Sequence, residues 1–198
     1  AGTGRGDCRP AVASGTGDIP AFTAINTGTS PVIATITVTP TFENGGVSCT
    51  GPATPFEITV NPTAQVNPIV DMVVTDGDDI DIPFSTINTG GTSTYTWTNT
   101  DPTTGLTNTG SSDIGFTAVN TGTSPITTTV VVTPTFENGG NSNSGPTDTF
   151  IITVNPTAQI DPIENIVVCD EDIINPIVFT TENTGCLLYT SPSPRDRI

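Results

Sequence analysis

The chain has no lysine and no histidine among its 198 residues. Its four basic residues are Arg5, Arg9, Arg195 and Arg197, so the stretch between Pro10 and Pro194 has no cation at all. Of twenty acids, only Asp7 and Asp196 lie outside that stretch, which leaves eighteen and a charge of −18. Salt bridges cannot contribute there. Nucleic acid is excluded as a partner, because phosphates must be neutralised by Lys or Arg. An anionic membrane surface is excluded for the same reason. Without histidine or lysine, and with no Cys beside a base, acid–base and nucleophilic catalysis lack their usual groups, and no enzyme activity is expected. No apolar run reaches membrane-spanning length, so no membrane insertion is expected.

What the chain does have is repetition. Phe22-Thr23-Ala24 returns as Phe116-Thr117-Ala118. Thr39 to Gly46 returns unchanged as Thr133 to Gly140, and Ile58 to Gln65 as Ile152 to Gln159. Each offset is 94 (116−22, 133−39, 152−58). A domain-sized repeat of this fidelity marks a modular array. Beyond Val168 one residue is inserted, and by Phe179, which answers to Phe84, the offset is 95.

The ends depart from the pattern. Residues 1–13 do not follow the repeat and are a doubtful start. Residues 186–198, beginning Cys186-Leu187-Leu188-Tyr189-Thr190, resemble the translation of a transposase-type sequencing adaptor and are set aside as a non-native tail. The expected organisation is the C-terminal half of one repeat (14–61), a complete repeat (62–155) and the N-terminal part of a third (156–185). Boundaries are set at Asn61-Pro62 and Asn155-Pro156, where Pro ends a strand because it cannot donate to the ladder. The chain reads as an open-ended piece of a longer protein.

Apolar residues recur with period two. Val32, Ala34, Ile36 and Val38 share one face, and Ile126, Thr128, Val130 and Val132 repeat that parity. Phe56, Ile58 and Val60, then Phe150, Ile152 and Val154, alternate with polar residues, as do Tyr95 and Trp97. Asn44-Gly45 and Asn138-Gly139 are hairpin-turn signals. High threonine favours strands, and no window has a helical period. About seven short strands in each repeat predict an all-β, antiparallel sandwich.

The set Tyr95-Thr96-Trp97-Thr98-Asn99, Gly105-Leu106, Asp113-Ile114, Phe116-Thr117-Ala118, Asn120-Thr121-Gly122 and Val132-Thr133-Pro134-Thr135-Phe136 resembles the PKD-like, immunoglobulin-like repeats of giant Bacteroidota surface proteins. The resemblance covers residues 14–185. It implies tandem β-sandwich repeats in a secreted, extracellular, cell-surface adhesin or stalk.

Cys49 and Cys169 are the cysteines within the repeats. Their equivalents in the complete repeat are Asn143 (49+94) and Thr75 (169−94), so that repeat lacks both. One disulfide per repeat, lost as a unit in the middle, is the simplest reading; it expects Thr75 and Asn143 to be neighbours and suits an oxidising compartment. The bland reading is two unrelated buried thiols.

Asp76, Asp78, Asp79 and Asp81 are the candidate metal ligands, since clustered carboxylates on a tight loop suit Ca²⁺. No other cofactor is implied. The bland reading is a solvated acidic turn, and the spacing is not that of an EF-hand. Arg5-Gly6-Asp7 reads as a chance integrin-like tripeptide. Trp97, with Tyr95 nearby, reads as core rather than as a sugar-stacking platform.

The expected function is mechanical: stalk or spacer repeats that extend and present a distal binding domain. The partners are then neighbouring repeats of the same chain, with surface glycans or other cells met through further domains. The alternative is a carbohydrate-binding module of a secreted polysaccharide-degrading protein, which would need exposed aromatics.

Overall fold

In the computed structural model, described over residues 14–185, the alternation of β-branched and polar residues becomes strands between Val32 and Asn155, and residues 156–185 form none. The first copy forms β1 (Val32–Val38), β2 (Thr41–Asn44), β3 (Val47–Thr50) and β4 (Thr54–Val60). The central copy forms β5 (Met72–Thr75), β6 (Asp79–Ile82), β7 (Thr92–Asn99), β8 (Thr109–Ser111), β9 (Ile114–Thr117), β10 (Ile126–Asn138), β11 (Asn141–Ser144) and β12 (Asp148–Asn155). A single 3-10 turn, Pro102–Thr104, opens at Asp101, whose carboxylate accepts the Thr103 amide. Among the described residues there is no α-helix, hence none that could cross a membrane.

The sheets are mostly antiparallel. β1 pairs with β4 from Val32↔Val60 to Val38↔Thr54, and β2 with β3 from Thr41↔Thr50 to Asn44↔Val47. β6 pairs with β9, placing Asp79 opposite Thr117. A six-stranded sheet runs β5-β12-β10-β7-β8, with β11 added to β10. Its edge strand β5 lies parallel to β12, from Met72↔Ile152 to Thr75↔Asn155. Pro134 marks where β10 changes partner. It has no N–H to give, and pairing with β11 begins at the next residue, Thr135↔Ser144. At the equivalent Pro40 the first copy breaks into two strands, β1 and β2.

The chain forms two compact units. The described residues of the first are 14–68, 84–97 and 132–148, and those of the second are 69–83, 98–131 and 149–185. Each contains one of the two linkers, Asn61-Pro62 or Asn155-Pro156.

The first unit is centred on Phe136, Val132 and Trp97, with Pro62, Ala64 and Pro134 buried beside them. Trp97 is only 6% exposed, which agrees with its reading as core. Tyr95 meets Phe84, ring centroids 5.3 Å apart and tilted by 55°. Gly91 passes so close to Phe136 that a Cβ there would lie 2.4 Å from its ring.

The second unit buries Phe150, Ile152 and Val154 from one face of β12, with Val130, Ile114, Leu106 and Ala118. Thr128 and Asn99 are buried too, and they satisfy each other: the Thr128 hydroxyl donates to Asn99 Oδ1. The Asn99 amide donates to the Leu106 carbonyl at 2.8 Å and the Asp101 carbonyl at 3.0 Å. Burying such groups without partners would be destabilising.

Equivalent residues differ in burial between copies. Phe42 is 68% exposed and Phe136 fully buried; Phe56 is 42% exposed and Phe150 1%. These phenylalanines occupy core positions of the repeat that lie uncovered in the first copy.

Candidate functional site: the repeat junction

Five Asn-Thr-Gly triplets occur; apart from the one at Asn108, within the central copy, four remain, at Asn26, Asn88, Asn120 and Asn183. They divide into two kinds, and together they build the junctions. Asn26 and Asn120 each close a turn: Oδ1 accepts the Gly28 amide at 2.9 Å in one and the Gly122 amide at 3.0 Å in the other. Their side-chain amides pin the turn to the end of the last strand of the copy. Asn26 Nδ2 donates to Ser30 O and Val60 O, and Asn120 Nδ2 to Ser124 O and Val154 O. Asn suits this task because its short amide offers donors and an acceptor close to the backbone.

Asn88 and Asn183 reach across to the preceding copy. In the first unit, Asn88 Oδ1 accepts the Gln65 amide at 2.7 Å. Its Nδ2 donates to Thr63 O at 3.1 Å in the linker and to Thr29 O at 3.4 Å in the preceding copy. The next residue adds a backbone bond, Thr89 N to Thr29 O at 2.9 Å. In the second unit the same bonds recur. Asn183 Oδ1 accepts Gln159 N at 2.6 Å, and its Nδ2 donates to Thr157 O at 3.3 Å and Thr123 O at 3.5 Å. Thr184 N donates to Thr123 O at 2.8 Å. Thr86 and Thr181 orient the two asparagines, each hydroxyl accepting the Asn backbone amide at 3.0 Å.

The linker is also held from the hairpin. Asn61 Nδ2 donates to Asn138 O at 3.1 Å, and Asn138 Nδ2 returns a bond to Asn61 Oδ1 at 3.0 Å. Asn143 Nδ2 donates to Pro62 O at 3.1 Å. Gly145 packs against the linker backbone so closely that a Cβ would lie 1.8 Å from Ala64 O.

The four candidate calcium ligands take separate partners. Asp76 Oδ1 accepts the Asn120 amide and Oδ2 the Thr157 hydroxyl, both at 2.9 Å. Those bonds, the Asn120 amide first, hold its carboxyl below the ordinary value. Asp78 Oδ2 accepts Thr75 N at 2.7 Å, and Asp79 Oδ1 accepts the Thr117 hydroxyl at 2.7 Å. Asp81 stands exposed on β6 opposite Gly115. Among the described residues no three His, Cys, Asp or Glu side chains converge on a point that could hold an ion. Asp76 thus ties the central copy to the following linker, a task its sequence context does not reveal.

Cys49, opposite Phe42, and Cys169 are exposed free thiols, which corrects the reading of two buried thiols. Of their central equivalents, Thr75 lies in register with Asn155 and Asn143 with Phe136. Arg5-Gly6-Asp7 and the adaptor-like tail lie outside the described residues.

An open groove of about 850 Å³ flanks the first linker, and its lining includes Ile33, Ile58 and Val60 together with Asn61, Asn138 and Asn143. No aromatic ring lines it. Of the exposed phenylalanines of the first copy, Phe42 and Phe56 answer to the buried Phe136 and Phe150, and Phe22 to the half-buried Phe116.

No protein-family model matches the chain, and no curated protein is similar to it.

The Asn-Thr-Gly count was the available signal for the junction. Periodicity does not distinguish a triplet that closes its own turn from one that grips the next copy, since both are short polar loops between strands.

Proposed function

We propose that this chain is a run of structural spacer repeats, immunoglobulin-like and PKD-like β-sandwiches in tandem, from a secreted cell-surface adhesin. Its work is to hold a distal binding domain away from the surface. The observation that carries this reading is the recurrence of one clasp, with the same donors and acceptors, at both linkers. A flexible tether has no use for such a device, and a stiff rod requires it. The absence of cations suits the role, because net charge keeps a long surface fibre soluble and unassociated. Neighbouring repeats are the partners of each repeat, and the reading assigns no catalytic group.

The test is inter-repeat flexibility. Residual dipolar couplings or small-angle scattering would be recorded for the full chain and for Asn88→Ala with Asn183→Ala. The variant should bend more freely while each strand keeps its amide protection. Unchanged inter-repeat order in the double variant would overturn the spacer reading.

A further inference from the structure

The first and last strands of the central copy lie side by side. β5 pairs with β12 in parallel, from Met72↔Ile152 to Thr75↔Asn155. The chain enters β5 at Met72 and leaves β12 at Asn155. Tension carried along the chain therefore draws Met72 backwards and Asn155 forwards, along two strands that run the same way. That is shear. The ladder bonds of a parallel pair are evenly spaced, so under shear they share the load and must fail together. Pulling the same strands apart from one end would load the bonds one after another.

We propose that the β5–β12 pairing is a load-bearing clamp, which sets the force at which the central copy yields. The direction of load rests on the spacer reading; the clamp itself lies within one copy.

Side chains lengthen the ladder at both ends. Before β5, Asp71 Oδ1 accepts the Ile151 amide at 2.8 Å. After β5, Asp76 N donates to Asn155 O at 2.9 Å, and Asp76 Oδ2 accepts the Thr157 hydroxyl at 2.9 Å. Hydrogen bonds to a carboxylate are stronger than neutral ones, and these two carboxylates stand where fraying of the pair would start. The turn beyond β5 is fixed as well. Gly77 N donates to Ala118 O and Ala118 N to Asp78 O, both at 2.8 Å, so that turn supplies no slack. Asn120 completes the clamp. Its backbone amide donates to Asp76 Oδ1, and its Nδ2 donates to Val154 O at 2.7 Å, so one residue grips β12 and the end of β5 together. β12 is held on its other side by β10 and buries Phe150, Ile152 and Val154. The edge strand β5 is thus the one that must slide.

Force spectroscopy on the full chain, with the native cysteines replaced by serine, would compare two pairs of handles. Val70→Cys with Ala158→Cys loads the pairing in shear. Val70→Cys with Thr149→Cys pulls the two strands apart from one end. Val70, Thr149 and Ala158 are all exposed. At equal loading rate the shear pair should resist at least about twofold more force, because its bonds share the load. Asp71→Ala with Asp76→Ala should bring the shear force down towards the peeling value. Asp101→Ala, whose carboxylate holds the 3-10 turn, should leave the shear force unchanged. The comparison of geometries needs no aspartate variant, so it decides the matter even where the double variant fails to fold. Equal forces in the two geometries, or a shear force that the double aspartate variant leaves intact, would overturn the clamp. Either result would leave inter-repeat order as it was, so the spacer reading stands or falls separately.

Discussion

Asn61 and Asn138 hold each other through reciprocal hydrogen bonds, Asn138 Nδ2 to Asn61 Oδ1 at 3.0 Å and Asn61 Nδ2 to Asn138 O at 3.1 Å. The hairpin turn and the linker are thereby one structure. Asn138→Ala should destabilise the first unit by about 1 kcal/mol, the usual net worth of such a bond. Asn44→Ala, at the equivalent turn of the first copy, should lower the same denaturation midpoint less.

Gly145→Ala should be the most damaging glycine substitution near the linker. Its Cβ would meet Ala64 O at 1.8 Å, so backbone must move, at about 1–3 kcal/mol. Gly115→Ala meets nothing within 4 Å and is the control. Urea denaturation of the two variants decides the point.

Asp76 supplies an acid-sensitive tie. Its carboxyl is held below the ordinary value of 3.8 by the Asn120 amide and then by the Thr157 hydroxyl. A depressed folded-state value means stability that is present above the unfolded value and lost as pH falls through the folded one. Acidification below about pH 4 should therefore loosen the Thr157 contact, whose stabilisation is present in full at neutral pH and flat above it. Asp76→Asn should flatten that acid limb when melting temperature is followed against pH.

Trp97→Ala should cost about 3–5 kcal/mol, as for other large core truncations. Native tryptophan fluorescence should be blue-shifted and shielded from quenchers. A red-shifted, readily quenched spectrum would count against the packing around Phe136 and Val132.

Stability should rise with NaCl, because −18 between Pro10 and Pro194 meets no internal cation. CaCl₂ at matched ionic strength should add nothing further, because Asp76, Asp78 and Asp79 take separate partners and Asp81 stands exposed on β6. A calcium-specific rise in melting temperature that Asp78→Asn with Asp79→Asn removes would show that the four carboxylates do gather around an ion.

Strands were legible in the sequence wherever one face was buried. The parity of Thr128, Val130 and Val132, and of Phe150, Ile152 and Val154, is the parity of the buried face. Period two reports only on side-chain alternation within a strand. It is silent on which strands lie side by side, and so the parallel contact of β5 with β12 was not readable. The partners of the acidic loop were illegible for a related reason. Composition shows that carboxylates are close in sequence, but not that backbone amides and hydroxyls of Asn120, Thr157 and Thr117 will claim them one by one.

The clasp is built wholly from uncharged amides, hydroxyls and carbonyls, and each copy carries one half at each end: a threonine carbonyl behind its first triplet kind and a gripping asparagine in its second. The array therefore has direction, and any copy can follow any other. Unequal crossing-over between the near-identical repeats would lengthen or shorten the chain by whole units. No joint would need a new solution, and length would be set by recombination alone.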